Sequence, residues 1–231
     1  MPMFEFSTLS FLMANSLTKE NYLKAIFALS NETDEVTVNE LSKNLGIKMP
    51  TVTSMMKKLA EKKLVNYESY RPVRLTEKGK KEAGIIIRKH RLTEMFLVEI
   101  MGFGWEEVHE IAEQVEHVQS PDFFEKMDKM LGYPKIDPHG SPIPDKTGRM
   151  EWKPYKKLSD CKPGNQVKLS AVLNSSAAFL KYLNSRELRL GTKLKIRSIE
   201  NFDGSMTISV GKKPSEMLSN TVCSMLMVED V

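Results

Sequence analysis

Cysteine is scarce in this chain. Only Cys161 and Cys223 occur among 231 residues, and they lie far apart. That excludes a disulfide framework and any cysteine-rich zinc motif. Long apolar runs are absent too, since none approaches the ~18 residues that a spanning helix needs. The opening MPMFEFSTLSFLMAN is mildly apolar but lacks a basic n-region and a small-residue cleavage site, so it does not read as a signal peptide. Residues 1–16 are therefore expected to form a disordered extension. Few cysteines and no export signal point to the cytosol. There is no H-E-x-x-H, no nucleophile elbow and no phosphate loop, which removes the commonest signatures of hydrolytic and nucleotide chemistry. No repeat and no low-complexity tract is visible.

What is present is a chain long enough for two or three small domains, with the 41% hydrophobic and 28% charged content of a soluble globular protein. Its net charge of +4 hides an asymmetry. Residues 17–91 carry 16 Lys/Arg against 9 Asp/Glu, whereas residues 92–136 carry 3 against 10. A basic block followed by an acidic one fits binding of a polyanion and then of a cation, although such runs also arise as plain solvated surface.

Leu17 to Leu29 has helical periodicity, with Thr18 as a cap. Val38 to Leu45 forms a short second helix stopped by Gly46, which suits the left-handed cap. Pro50 is pre-organised for the first turn of a third helix. The apolar face of that helix is Val52, Met55, Met56 and Leu59. Its polar face offers Thr51, Thr53, Ser54, Lys57 and Lys58. This is a helix-turn-helix whose second helix suits a major groove, with Lys48 just ahead of it. Two β-prone runs, Leu64 to Tyr67 and Val73 to Leu75, then make a wing, with Arg71 and Arg74 near its tip and able to meet phosphate. The same fold used only for protein contacts is the alternative.

Thr76 to Met101 reads as one long helix in which Gly79 and Gly84 each cost about 1 kcal/mol relative to Ala, a loss that tertiary packing must offset. His90 and Glu94 lie one turn apart on it. The next stretch, Trp105 to Val118 (WEEVHEIAEQVEHV), reads as a helix that stacks His109, Glu113, Glu116 and His117 on one face. Imidazole and carboxylate groups at that spacing suit a divalent first-row metal. A solvated acidic face with two incidental histidines stands as the other reading. Ser120 to Tyr133 makes a further amphipathic helix, where Met127 and Met130 serve as core or interface filler. Lys135 to Pro154 is rich in Pro and Gly and reads as a linker. Beyond it come β-prone runs (NQVKLSAVL, TKLKIRSIE, SMTISV, CSMLMVE) and one helical piece, Ser175 to Asn184, which together fit a small β-barrel.

The segments KENYLKAI, MPTVTSMMKKL, RLTEKGKK, RKHRL, EEVHEIAEQVEHV and DPHGSPIP, in this order and spacing, resemble the metal-dependent repressors typified by the diphtheria toxin repressor and the manganese transport regulator. The resemblance runs from about Leu17 to Pro144, and the β-rich tail is similar to that family's SH3-like third domain. It implies a mainly α protein with a small β domain: an extension at 1–16, a winged helix-turn-helix DNA-binding domain at 17–82, a helical metal-binding and dimerisation domain at 83–144, a linker at 145–154 and an SH3-like domain at 155–231. It also implies a homodimeric, metal-activated repressor that docks on a palindromic operator in double-stranded DNA, with no membrane partner.

Carried over by position, the resemblance implies a primary metal site of Glu113, Glu116, His117 and Asn21, and an ancillary site of His90, Glu94 and His109. Asn21 stands where the family has Met or Asp. Lys24 stands where manganese regulators place a further Glu, so a paired-manganese cluster of that kind is not expected. Ser175 and Ala178 stand where some third domains supply ligands, so that arm is not expected to ligate. Asp137 and His139 are open to two roles, substitute ligands or stabilisers of their loop. The oxygen-rich primary set suits Mn²⁺, with Fe²⁺ as the alternative. Two other functions remain to be weighed: a winged-helix regulator of an organic ligand, and a Glu-His metalloenzyme.

Overall fold

Thr37 shows how closely local sequence sets the first elements. Its hydroxyl accepts the Glu40 N–H at 3.2 Å, and the Glu40 carboxylate accepts the Thr37 N–H at 2.7 Å. This reciprocal capping box starts helix α2, Val38–Leu45, which follows helix α1 at residues 18–29. The computed structural model describes residues 18–30, 34–211 and 213–231, so the extension expected at 1–16 lies outside the described residues. Gly46 ends α2 at φ 64°, a left-handed conformation that glycine adopts without a Cβ penalty. Helix α3, Met49–Glu61, carries Pro50 in its first turn.

Contacts divide the chain into two compact units that interleave along the sequence. The first takes residues up to His90 together with Gln114–Pro121 and Pro144–Met150. Its core contains Tyr22, Leu23 and Ile26 of α1, Leu41 of α2, and Val52, Met56 and Leu59 of α3. Each fully buried aliphatic side chain here contributes about 1.5–3 kcal/mol relative to its exposed state. Strands β1, Val65–Asn66, and β2, Arg74–Leu75, pair antiparallel as the wing, and Val36 bridges Val73 alongside.

Helix α4, Glu77–Glu99, begins where the Thr76 hydroxyl accepts the Gly79 N–H at 3.0 Å. Its two glycines are explained by close approach. A Cβ at Gly79 would come 2.0 Å from the Leu64 carbonyl oxygen, and one at Gly84 would come 2.0 Å from that of Gly148. The helix propensity lost at both positions is exchanged for backbone packing that no larger residue permits.

The second unit takes Arg91–Glu113, Asp122–Ile143 and Glu151–Val231. It includes helix α6, Pro121–Met130, for all but its first residue. Strands β3 (Lys156–Lys157), β4 (Gln166–Val172), β5 (Lys193–Ile199), β6 (Met206–Val210), β7 (Glu216–Leu218) and β8 (Leu226–Asp230) form one antiparallel sheet in the order β3-β8-β4-β5-β6-β7. Register shifts between Leu169 and Ala171, and between Ile196 and Ser198, bend it. Helix α7, Ala177–Asn184, sends Leu180 and Leu183 into the same core as Val167, Leu169, Ile196 and Val228. This is the expected mainly α chain with a small SH3-like β domain.

Three expectations need correction. The stretch from Trp105 to Val118 is not one helix: only α5, His109–Val115, is helical. Residues 105–108 form turns and a bend, in which the Glu107 carboxylate accepts the Gly104 N–H at 2.8 Å. Glu116 and His117 fall in the turn after α5, so they do not continue its face. The segment Lys135 to Pro154 is also no plain linker. Asp137, His139, Gly140 and Ile143 are buried, Ile136 bridges Pro142, and the Asp145 carboxylate organises a turn through the N–H groups of Thr147 and Arg149. Finally, Cys223 to Met225 belong to helix α8, Asn220–Met225, capped by the Ser219 hydroxyl. The last strand starts only at Leu226, where the β-branched and apolar alternation resumes.

Candidate metal centre

Two clusters of carboxylates and imidazoles form, one in each unit. In the first, Glu116 is completely buried. Its Oε1 accepts from the Lys24 ammonium at 2.7 Å, and its Oε2 lies 2.6 Å from His90 Nδ1. A buried carboxylate with no counter-charge would cost several kcal/mol, so α1 and α4 each deliver a cationic or donor group to it. His117 Nδ1 lies 2.7 Å from Glu20 Oε2, and Glu20 Oε1 accepts from Gln119 at 3.2 Å. Between Glu20 and Lys24 on the same helix, the Asn21 side-chain oxygen is buried and has no hydrogen-bond partner. An orphaned buried amide oxygen costs roughly 1–3 kcal/mol. A cation would relieve that cost, and Glu20, Asn21, Glu116 and His117 supply the oxygen-rich, one-imidazole donor set that hard and borderline divalent ions take. The neighbouring Tyr22 hydroxyl is likewise buried without a partner, and burial pushes its pKa up.

In the second unit the spacing differs. Glu94, 3% exposed, turns Oε1 toward His109 Nδ1 at 3.4 Å and Oε2 toward His139 Nδ1 at 3.6 Å. His109 Nε2 stands 3.6 Å from Glu113 Oε1. Asp137 accepts the N–H groups of His139 and Ser141 on Oδ1, at 2.8 and 2.9 Å, and places Oδ2 3.3 Å from Arg91 Nε. Burial pushes the Asp137 carboxyl above its ordinary range, against the pull of Arg91. Burial alone would depress His139, but the Glu94 carboxylate, reinforced by Asp137 and the Trp105 carbonyl, raises it. The Arg91 guanidinium is lowered by burial, with Asp137 and Glu94 opposing.

Asn21, Glu116 and His117 lie in the first unit, whereas Glu113 lies in the second and faces His109. Of the expected ancillary set, Glu94 and His109 lie in the second unit and face each other, and His90 lies in the first, where it also meets Glu116. Sequence reasoning missed Glu20 as the partner of His117 and Lys24 as the partner of Glu116. Glu20 and Lys24 are i,i+4 neighbours on α1, and Asn21 is i,i+3 to Lys24, a signal that gains meaning only once the opposing segment is known.

On the helix-turn-helix, Lys48, Pro50, Thr51, Ser54, Lys57 and Lys58 are exposed and Thr53 is half-buried, because Val52, Met56 and Leu59 turn inward. Arg71 and Arg74 are exposed on the wing but tied to carboxylates: Arg71 to Glu68 at 3.0 Å, and Arg74 Nε to Glu35 at 2.9 Å. Exposed pairs of this kind are worth at most about 1 kcal/mol, so a phosphate can displace them.

Residues 16–73 match the family model "Iron dependent repressor, N-terminal DNA binding domain", residues 76–145 match "Iron dependent repressor, metal binding and dimerisation domain", and residues 156–230 match "FeoA domain". The iron-dependent repressor IdeR of Mycobacterium tuberculosis (strain ATCC 25618 / H37Rv) is 37% identical over 127 residues, 55% of this chain and 55% of that protein. The chain therefore spans about half the length of the curated relatives it matches first. A solved manganese-dependent transcriptional repressor in complex with manganese is similar at TM-score 0.83 and 30% identity, covering 92% of this chain and all of that one. ScaR with bound Zn²⁺ is similar at TM-score 0.76 and 33% identity, covering 92% of this chain and 99% of that one.

Proposed function

Since the chain belongs to the iron-dependent repressor family, we propose that it is a metal-activated transcriptional repressor that binds double-stranded DNA as a homodimer. The observation that carries the metal part is the orphaned Asn21 oxygen beside Glu20, in a unit where Glu116 and His117 meet α1. A divalent ion held by Asn21, Glu116 and His117 would tie the first helix to the segment after α5, within the unit that also carries the recognition helix. Bound metal supplies a cross-link of that kind. It shifts the population toward the DNA-binding form only if that form binds the ion more tightly. The Lys24 ammonium and the His90 ring already hold Glu116, so the incoming ion would displace them or share this carboxylate.

Mn²⁺ is the proposed activator, with Fe²⁺ the alternative, because carboxylate and amide oxygens outnumber imidazole in the set. The dimer is supported by exposed apolar side chains in the second unit: Ile100, Met101, Phe123 and Met130. Two-fold symmetry would present two α3 helices to a palindromic operator. There Thr51, Thr53 and Ser54 would read base edges, and Lys48, Lys57, Lys58, Arg71 and Arg74 would meet phosphates. Such a regulator works in the cytoplasm, where its DNA is. No observation favours an organic-ligand sensor or a metalloenzyme.

The test is a duplex-binding titration at fixed salt, using DNA selected from a random pool, in Mn²⁺ and again in chelator. At least a tenfold gain in affinity with metal is expected. Equal affinity in the two conditions would remove the regulatory role.

A further inference from the structure

We propose that the outer face of strands β4 and β5 binds the phosphate backbone of double-stranded DNA, in addition to the contact made by the helix-turn-helix. This rests on the reading of the chain as a DNA-binding regulator, but concerns residues of the C-terminal β domain alone.

The sequence of β5, KLKIRSI, alternates cationic with aliphatic side chains. Leu194 and Ile196 enter the core of the β domain, so Lys193, Lys195 and Arg197 share the opposite face. The register then places their neighbours. Lys168 of β4 stands directly opposite Lys193, and Lys195 is flanked by Gln166 of β4 and Ser209 of β6. The Arg197 Nε–H donates to the Ser209 hydroxyl at 2.8 Å, which keeps the guanidinium on this face. Lys193 and Arg197 are exposed, whereas Lys168 and Lys195 are half-buried. Long cationic side chains lay their aliphatic stems on a sheet in this way and keep the charge in water.

Two features set the face apart from ordinary solvated surface. Like charges directly opposite each other destabilise a strand pair, and Lys168 with Lys193 is such a pair. Glu229 of β8 is cross-strand to Lys168 and offsets that residue. Among the described residues, no carboxylate lies within ion-pair distance of Lys193, Lys195 or Arg197. The wing arginines, by contrast, are each tied to a carboxylate. The second feature is position. Lysines often guard a sheet edge against unwanted pairing, but β4 and β5 are the two inner strands of the six. Edge protection therefore does not account for them, and a polyanion would relieve their repulsion.

The form of the row selects among polyanions. From Lys193 to Arg197 it runs about 13 Å at ~3.3 Å per residue. A DNA duplex carries one charge per ~1.7 Å of axis, so the row spans several phosphates. Strands β4, β5 and β6 contain no aromatic residue. The face thus lacks the rings on which single-stranded bases stack. Gln166 and Ser209 add neutral donors of the kind that contact phosphate oxygens and position a duplex without reading its sequence.

The test is a salt titration of the full chain in Mn²⁺ on a long duplex that carries the pool-selected site. Wild type is compared with the triple variant Lys193→Ala, Lys195→Ala, Arg197→Ala. Each lost phosphate contact removes about 0.9 from the slope of log affinity against log salt, so the variant should fall by roughly 2–3. An unchanged slope, with binding still metal-dependent, overturns this contact and leaves the proposed function standing. No duplex binding by wild type overturns both. If the variant fails to fold, acetylation of wild type read by mass spectrometry gives the answer without a substitution. Duplex should shield Lys193 and Lys195 from the reagent. Equal reactivity with and without duplex overturns the contact, and shielding by polyglutamate alone overturns it in favour of an acidic protein.

Discussion

The two carboxylate–imidazole clusters are built from the same residue types and behave differently. In the first unit the pairs are closed, at 2.6 and 2.7 Å, and the fully buried Glu116 already has the Lys24 ammonium and the His90 ring against it. In the second unit the pairs of His109 and His139 with Glu94 stand open at 3.4 and 3.6 Å. In the first cluster a lysine ammonium already sits on the buried carboxylate, whereas in the second the carboxylate and imidazole atoms stand further apart, a difference that the residue types alone do not reveal.

Breaking the closed cluster has the largest expected effect. In chelator, Glu116→Gln should lose roughly 3 kcal/mol in urea unfolding, because the fully buried carboxylate that faces the Lys24 ammonium and the His90 ring is removed. His139→Gln should lose less than half of that, since its pair with Glu94 stands open at 3.6 Å and only its 2.8 Å hydrogen bond to the Trp105 carbonyl oxygen is disturbed. Equal losses would erase the distinction between the clusters.

Lys24→Met should act in opposite directions on two readouts. Metal-free stability should fall by about 1–3 kcal/mol as Glu116 loses a donor. Mn²⁺ affinity at the first cluster should rise about tenfold, or ~1.4 kcal/mol, as the competing ammonium disappears. Calorimetry showing unchanged affinity would mean that Lys24 does not compete with the ion.

Asn21→Leu should show a smaller, reversed pattern. Removing an orphaned buried oxygen should stabilise the metal-free chain by about 1 kcal/mol, while metal affinity drops about tenfold. Loss on both counts would show that the amide oxygen is satisfied in solution.

The smallest effect on the fold is expected at the surface of α3. Lys57→Ala should leave stability within about 0.5 kcal/mol and lower the salt slope of DNA binding by about 1. An unchanged slope would remove Lys57 from the phosphate contacts.

Much of the fold was legible in the sequence because its signals are local. Gly46, Pro50 and the apolar spacing of Val52, Met56 and Leu59 each act within a turn or two of their own position, and the helices they delimit lie where expected. Trp105 to Val118 was misread as one helix because its periodicity is helical throughout, whereas Trp105 is drawn to Asn184 and Glu116 to Lys24 by partners 79 and 92 residues away. The burial of Asp137 and His139 was hidden for a similar reason. DPHG reads as turn chemistry, and nothing near it reports that Gly140 lies against β4. Glu20 could not be singled out from α1 alone, where it reads as one more charged residue on a half-buried helix.

Whether a divalent ion joins α1 to the segment after α5 is tested most directly by anomalous difference maps from Mn²⁺-loaded crystals, collected on both sides of the manganese edge. A manganese peak within coordination distance of Asn21, Glu116 and His117 is the expected result. Well-ordered Lys24–Glu116 and His117–Glu20 pairs with no peak between them, in crystals that hold manganese elsewhere, would contradict it.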